Sequence, residues 1–340
     1  MLRMTWMYAC LVGFLLAGPV RAFAPCAACW STGGTVYVAA LAGGQLRLAS
    51  ITATQQHTEI GTFPADNLTL LASGRWRGGD VLLGARGTAL LRWDMTAAHW
   101  ETLGTAPAPI RELLPAGGET EGAVLLTGHD GTPVPADGAV YWCAWHSDFS
   151  CARVSAVKDY FRPWQIWWSG IPGEARLAVA TYKATTFAPF EHNCLFLFAW
   201  QQDHAVPRWL GSRLKRPYVD AAHADLRHDG NVRMVAVEIT RAGGRGVSVY
   251  TPIQFGYEVE WHSEDIPGLE RVAAFGSHLL CWGHDAKHQP CAWQLMLDGE
   301  KYRLDPLPSP LPALEALTAV APECLTGWWD GAWHSIALAK

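Results

Sequence analysis

Four short runs follow one another along the chain: Leu68-Thr-Leu-Leu-Ala-Ser-Gly74, Gly79-Asp-Val-Leu-Leu-Gly-Ala85, Ala89-Leu-Leu-Arg-Trp-Asp94 and His99-Trp-Glu-Thr-Leu103. Each is apolar enough to be buried and too short for a stable helix, and glycine-bearing turns separate the first three. That is antiparallel strand spacing. Four such strands in a unit of roughly 40 to 50 residues are the sequence signature of a propeller blade.

The unit can be followed outward in both directions, near residues 35–65, 67–108, 109–156, 163–213, 217–265, 269–308 and 312–340. The first is incomplete and the last holds three strands at most. Seven units predict an all-β chain, a β-propeller of seven four-stranded blades, with six or eight blades as the neighbouring counts and a pair of β-sandwiches as the competing architecture. Ring closure between the N- and C-terminal ends is expected, with Cys26–Trp30 supplying the missing outer strand of the last blade and so removing two exposed sheet edges. Helical periodicity is almost absent. Its one candidate, Leu311–Ala321, reads equally well as an inner strand.

Ahead of the repeats, Arg3 is followed by an apolar run from Met4 to Ala17 and then by Gly18-Pro-Val-Arg-Ala-Phe-Ala24. This predicts a secretory signal peptide over residues 1–22, cleaved after Ala22, leaving one propeller domain over 23–340. The run is shorter than the ~20 apolar residues that span a bilayer, so the mature chain is expected to have no membrane span. Cleavage removes Arg3, Arg21 and Cys10, which takes the net charge from −5 to −7 and the cysteines from nine to eight. A periplasmic or secreted bacterial protein follows, and the acidic balance without a basic block speaks against a nucleic-acid partner.

Eight cysteines in an exported chain point to disulfides. Cys143 and Cys151 flank one turn-rich stretch and Cys281 and Cys291 another, as in bridges across a hairpin. Cys26, Cys29, Cys194 and Cys324 leave three connectivities open. Eighteen tryptophans are the oddest count in a chain that is half apolar and 17% charged. Trp76, Trp142, Trp145, Trp167, Trp168, Trp200, Trp282, Trp293, Trp328 and Trp329 fall at strand ends or in third strands, where a flat ring can fill the wedge between neighbouring blades.

The stretch Arg162–Glu238 carries the most specific signal, in Arg162-Pro-Trp-Gln-Ile, Leu177-Ala-Val-Ala-Thr-Tyr, Arg208-Trp-Leu-Gly-Ser, Ala224-Asp-Leu-Arg-His-Asp-Gly-Asn231 and Met234-Val-Ala-Val-Glu238. It resembles exported bacterial propellers with FG-GAP or VCBS-type repeats, over roughly a quarter of the chain. In that family an Asp-x-Asp-x-Asp-Gly turn after the inner strand can hold calcium. Here Asp225, Asp229 and Gly230 keep the pattern but Arg227 takes its middle acidic position, and a hard cation needs about six oxygens with anionic ligands. The equivalent turn Ser169-Gly-Ile-Pro-Gly-Glu174 has lost nearly all acidity. The expectation is a degenerate turn with no metal and no other cofactor.

Other motifs point the same way. Cys26-Ala-Ala-Cys29 has redox spacing but leads into a strand and turn, not a helix start that would lower the thiol pKa. His284 and His288 share a hairpin loop in which only Asp285 could join them. No His-Glu-x-x-His or Gly-x-Ser-x-Gly occurs. Trp93-Asp94 and Trp329-Asp330 match blade geometry without recurring at a WD spacing. The sequence therefore predicts a non-catalytic binding or assembly module with a protein or glycan partner in the envelope. A propeller hydrolase or lyase acting on glycans, and a calcium-dependent adhesion module, are the alternatives.

Overall fold

Each of the seven units folds as one antiparallel sheet. The computed structural model describes residues 27–338 except 33, 53, 117–119, 130, 131, 133, 146, 147, 186, 187, 202, 212, 213, 215, 276, 277, 308–316, 322, 323 and 330. The proposed leader 1–22, Cys26 and the first half of Leu311–Ala321 lie outside these residues.

Blades 1 to 3 are β1 (Ala27–Thr32), β2 (Thr35–Ala42), β3 (Gln45–Ile51) and β4 (His57–Pro64); β5 (Leu70–Trp76), β6 (Gly79–Arg86), β7 (Ala89–Asp94) and β8 (His99–Thr105); β9 (Ile110–Pro115), β10 (Gly122–Thr127), β11 (Ala139–Ala144) and β12 (Ser150–Arg153). Blades 4 to 6 are β13 (Pro163–Ile171), β14 (Glu174–Thr185), β15 (Ala188–Gln201) and β16 (His204–Leu210); β17 (Tyr218–Ala224), β18 (Arg233–Ile239), β19 (Arg245–Ile253) and β20 (Gly256–His262); β21 (Leu269–Phe275), β22 (His278–His284), β23 (Pro290–Asp298) and β24 (Lys301–Pro306). Blade 7 is β25 (Leu317–Ala321), β26 (Cys324–Trp329) and β27 (Ala332–Ala337), three strands among the described residues. Every sheet runs in sequence order from first strand to last. The fold is a seven-bladed β-propeller.

The quoted stretch shows why. Leu70↔Ala85 through Trp76↔Gly79 pair without a break, leaving Arg77-Gly78 as a two-residue turn with φ of 49° and 76°. Two positive φ values define the tight hairpin that matches strand twist, and Gly78 adopts one at no steric cost. The second strands of blades 3 and 5 are buried on both faces: all six residues of β10 and six of the seven in β18 are buried. Outer strands such as β8 and β16 have no buried residue, only half-buried and exposed ones.

Packing divides the described chain into two compact units, one holding blades 4 to 6 and the other blades 1 to 3 and 7. In the first, Ala178, Leu195, Met234 and Tyr250 form one core and Val235, Val249, Leu279 and Cys281 the next. In the second, Leu83, Leu125 and Trp145 pack blade 2 on blade 3, while Trp30, Leu48 and Trp93 pack blade 1 on blade 2.

The first and last sheets meet in this second unit, but not by exchanging a strand. Ala27–Thr32 is the first strand of blade 1, with Trp30 opposite Tyr37, so it cannot be the outer strand of blade 7. Side chains join the two sheets instead: His57 hydrogen-bonds Thr326 and stacks on Trp333 at 5.7 Å, and Arg47 lies 4.5 Å over the Trp328 ring. Thr326 donates its one hydroxyl proton to the His334 carbonyl at 2.8 Å, so it accepts from His57, whose Nε2 carries the proton.

Candidate functional site

The turn that could have been a calcium loop is closed by arginine. Asp225 follows the inner strand of blade 5 and accepts hydrogen bonds from the amides of Asp229 (3.1 Å) and Gly230 (2.9 Å), which bends the chain back on itself. Asp229 accepts from the Asn231 amide at 2.9 Å and from both arms of Arg233, at 2.9 and 2.8 Å. The Arg233 guanidinium, 4% exposed, also donates through Nε to Glu260 at 2.8 Å and lies 4.0 Å from Asp225. Three carboxylates thus surround one buried cation that belongs to the chain.

Glu260 reaches this cation because of a bulge. Val249 faces Trp261 and Tyr250 faces Val259, so Glu260 is the extra residue of β20. A bulge re-aims a side chain. Glu260 also accepts from Thr251 (2.6 Å) and from Arg227 Nε (2.7 Å), and Arg227 continues to the Glu300 carbonyl at 3.0 Å. Hydrogen bonds from Arg233 hold the Asp229 carboxyl well below the usual range. Burial pushes Glu260 up, but Thr251 and Arg233 outweigh it and its pKa is lowered. A shallow depression of about 490 Å³ lies over Arg227, Asp229, Arg233, Thr251, Glu258, Val259 and Glu260. Four of its charged groups, Arg227, Asp229, Arg233 and Glu260, are already paired with one another.

Blade 4 repeats the device. Gly173-Glu-Ala-Arg176 stands where blade 5 has Gly230-Asn-Val-Arg233. Arg176, 1% exposed, donates to Glu174 at 2.6 Å and to the Ile253 carbonyl at 2.7 Å. Glu174 also takes two bonds from Arg208, at 3.2 and 3.1 Å, and Arg208 is the bulge residue of β16. The bulge supplies the cation in blade 4 and the anion in blade 5. The Val232 amide donates to the Gly170 carbonyl at 3.0 Å, tying the two turns together. The sequence reading found Asp225 and Asp229 but missed Arg176, Arg233 and Glu260. A Gly-x-x-Arg opening two consecutive second strands was the available signal; the bulge had none.

His223 and Cys194 look reactive in composition and are not so in place. Ser169, Tyr257 and His223 form a chain with links of 2.8 and 3.1 Å, but burial lowers His223 to about 3, useless as a base near neutrality. Cys194 Sγ lies 3.3 Å from His192 Nε2, yet burial raises the thiol to about 12. Asp220 accepts from the Val272 amide of blade 6 at 3.0 Å, and burial raises its carboxyl to about 7. Glu238 accepts from Ser248 at 2.6 Å and from Tyr250.

Cys143 and Cys151 face each other across β11 and β12 and are bonded. Cys281 and Cys291 are not: both are free, because the register sets Cys281 opposite Trp293 and Cys291 opposite Gly283. Cys29, Cys194 and Cys324 are free as well. His284 turns to Glu270 at 3.2 Å, while Asp285 is taken up by the Lys287 and Gln289 amides. Among the described residues no cluster of three or more His, Cys, Asp and Glu could hold a metal ion, and no helix is long and apolar enough to cross a membrane. Of the tryptophans whose side chains are described, Trp30, Trp93, Trp142, Trp145 and Trp164 are buried and the rest half-buried, none exposed.

The class is that of a seven-bladed β-propeller carrying arginine-closed turns. No family profile and no curated protein sequence matches the chain. Solved structures do, at 9% identity. A chain of a structure titled "Crystal Structure of Mitotic Checkpoint Complex" has a TM-score of 0.56 over 95% of this chain and 90% of its own. "Structure of YjhT" scores 0.47 over 85% and 99%, and "Kuenenia stuttgartiensis Hydrazine Synthase" 0.46 over 83% and 82%. At this identity the first likeness shows the fold alone.

Proposed function

We propose that the chain is exported, loses residues 1–22, and acts as a non-catalytic binding or assembly module in the cell envelope, related to FG-GAP or VCBS-type propellers. The observation that carries the reading is the pairing of the carboxylates of the blade 5 turn. Asp225, Asp229 and Glu260 surround Arg233, so they are neither a calcium cage nor a free acid and base. The donor set does not fit calcium, which makes calcium-dependent adhesion the weaker reading. Blades whose turns are locked by internal ion pairs suit presentation of loops to a protein or glycan partner.

The test immobilises the mature protein and exposes it to detergent-solubilised envelope proteins and to envelope polysaccharides, with binding and glycan cleavage followed together. Saturable binding without cleavage supports the reading. Release of shortened or unsaturated oligosaccharides replaces it with the hydrolase or lyase alternative.

A further inference from the structure

The outer edges of the propeller are guarded in six blades and unguarded in the seventh. An unpaired strand edge templates pairing with another chain unless charge, proline, a bulge or short length blunts it. β4 carries Glu59, Pro64 and a bulge at Ile60; β8 carries Glu101 and a bulge at Leu103; β12 is four residues long. β16 carries Pro207 and a bulge at Arg208, β20 carries Glu258 and a bulge at Glu260, and β24 holds Lys301, Arg303, Asp305 and Pro306.

β27 has none of these. Its residues are Ala332-Trp-His-Ser-Ile-Ala337, without Asp, Glu, Lys, Arg or Pro, and its register with β26 is unbroken from Cys324↔Ala337 to Trp329↔Ala332. It is the third strand of its blade and pairs on one side only among the described residues. Third strands elsewhere hold several buried residues, as in β3, β7 and β19, whereas none of Ala332–Ile336 is buried. The buried indole N–H of Trp333 also finds no acceptor among the described residues. β27 therefore has the composition of an interior strand and the exposure of an edge.

We infer that β27 pairs antiparallel with β27 of a second copy, joining two three-stranded blades into one six-stranded sheet. Symmetry selects this occupant. A two-fold axis sets each residue against the same short segment of the partner and so brings the charges of an outer strand near their own copies, and β27 is the one outermost strand of the seven that carries no Asp, Glu, Lys or Arg. A strand supplied in cis from ahead of β1 is disfavoured if, as proposed above, cleavage follows Ala22. Residues 23–26 are then no longer than the shortest link from an outer strand to the next blade, 106–109. To that extent the inference rests on the export reading.

The purified mature protein, sedimented over a concentration series, should show a dimer of twice the chain mass, with the β27 amides slow to exchange with deuterium. Ser335→Lys and Ala332→Lys, both at exposed positions, should each return it to monomer and speed that exchange at least tenfold, with the melting temperature of the monomer unchanged. A protein that stays monomeric at all concentrations overturns the inference: with protected β27 amides the fourth strand comes in cis, and with unprotected ones the edge is left for another partner. A dimer insensitive to both substitutions overturns it as well. Because envelope binding is read separately, by capture on the monomeric variant, failure of the dimer leaves the functional reading standing.

Discussion

Arg233 grips Asp229 with both arms of its guanidinium, Nη1 to Oδ1 at 2.9 Å and Nη2 to Oδ2 at 2.8 Å, while its Nε holds Glu260. Removing the buried cation leaves Asp229 and Glu260, 39% and 19% exposed, without their partner and costs roughly 1–3 kcal/mol. Arg233→Ala should lower stability by about that amount in urea unfolding. The wild-type melting temperature should be the same in excess calcium and in chelator. A calcium-induced rise of several degrees would show that the turn takes a metal after all.

Two aspartates in the same unit should give stability opposite pH slopes. Hydrogen bonds from Arg233 depress Asp229, so its contribution is present above the unfolded carboxylate pKa and lost as pH falls below it. Burial raises Asp220 to about 7, so the folded state favours its protonated form; that contribution is present below about pH 4 and lost as pH rises through 7. Melting temperature should accordingly fall between pH 4 and 7 from this group. Asp220→Asn, which still accepts from the Val272 amide, should flatten that limb, and Asp229→Asn should flatten only the acid one. An unchanged slope in Asp220→Asn would place the titration elsewhere.

The blade repeat was legible because it is written in apolar runs and turn residues, both local signals. Leu68–Leu103 already contains four strands, and six of the seven units begin within a few residues of their sheets. What escaped was non-local. The place of Ala27–Thr32 depends on which sheet edge it meets, and a strand pattern reads the same for either neighbour. Arg233 escaped notice in a sequence that showed Asp225 and Asp229 plainly. Its partner Glu260 lies on another strand and faces it only through a bulge, which no periodicity announces. The Cys281 and Cys291 expectation failed by two residues of register, whereas Cys143 and Cys151 fell directly opposite.

Gly283 should tolerate no side chain. A Cβ there would lie 1.8 Å from the Gly268 carbonyl oxygen, the atom that accepts the His284 amide at 3.0 Å. The obstacle is backbone, so no rotamer change relieves it. Gly283→Ala should lose at least ~2 kcal/mol, toward the upper end of overpacking costs, and should release the β21–β22 pairing first, seen as faster amide exchange at His284. Wild-type stability in this variant would mean that the two chains separate freely.

Cys143 and Cys151 close a loop with a sequence separation of 8. Restricting the unfolded chain over so short a loop is worth roughly 2–3 kcal/mol. Cys143→Ala with Cys151→Ala, or treatment with reductant, should lower stability by that amount. Alkylation of the unfolded, unreduced protein followed by peptide mapping should find Cys143 linked to Cys151 and should label Cys29, Cys194, Cys281, Cys291 and Cys324. The buried Cys194 and Cys281, both with thiols raised by burial, should label only after unfolding, while half-buried Cys291 should react in the native protein. A peptide linking Cys281 to Cys291 would require β22 and β23 to shift register in the exported protein, and would overturn the pairing described above.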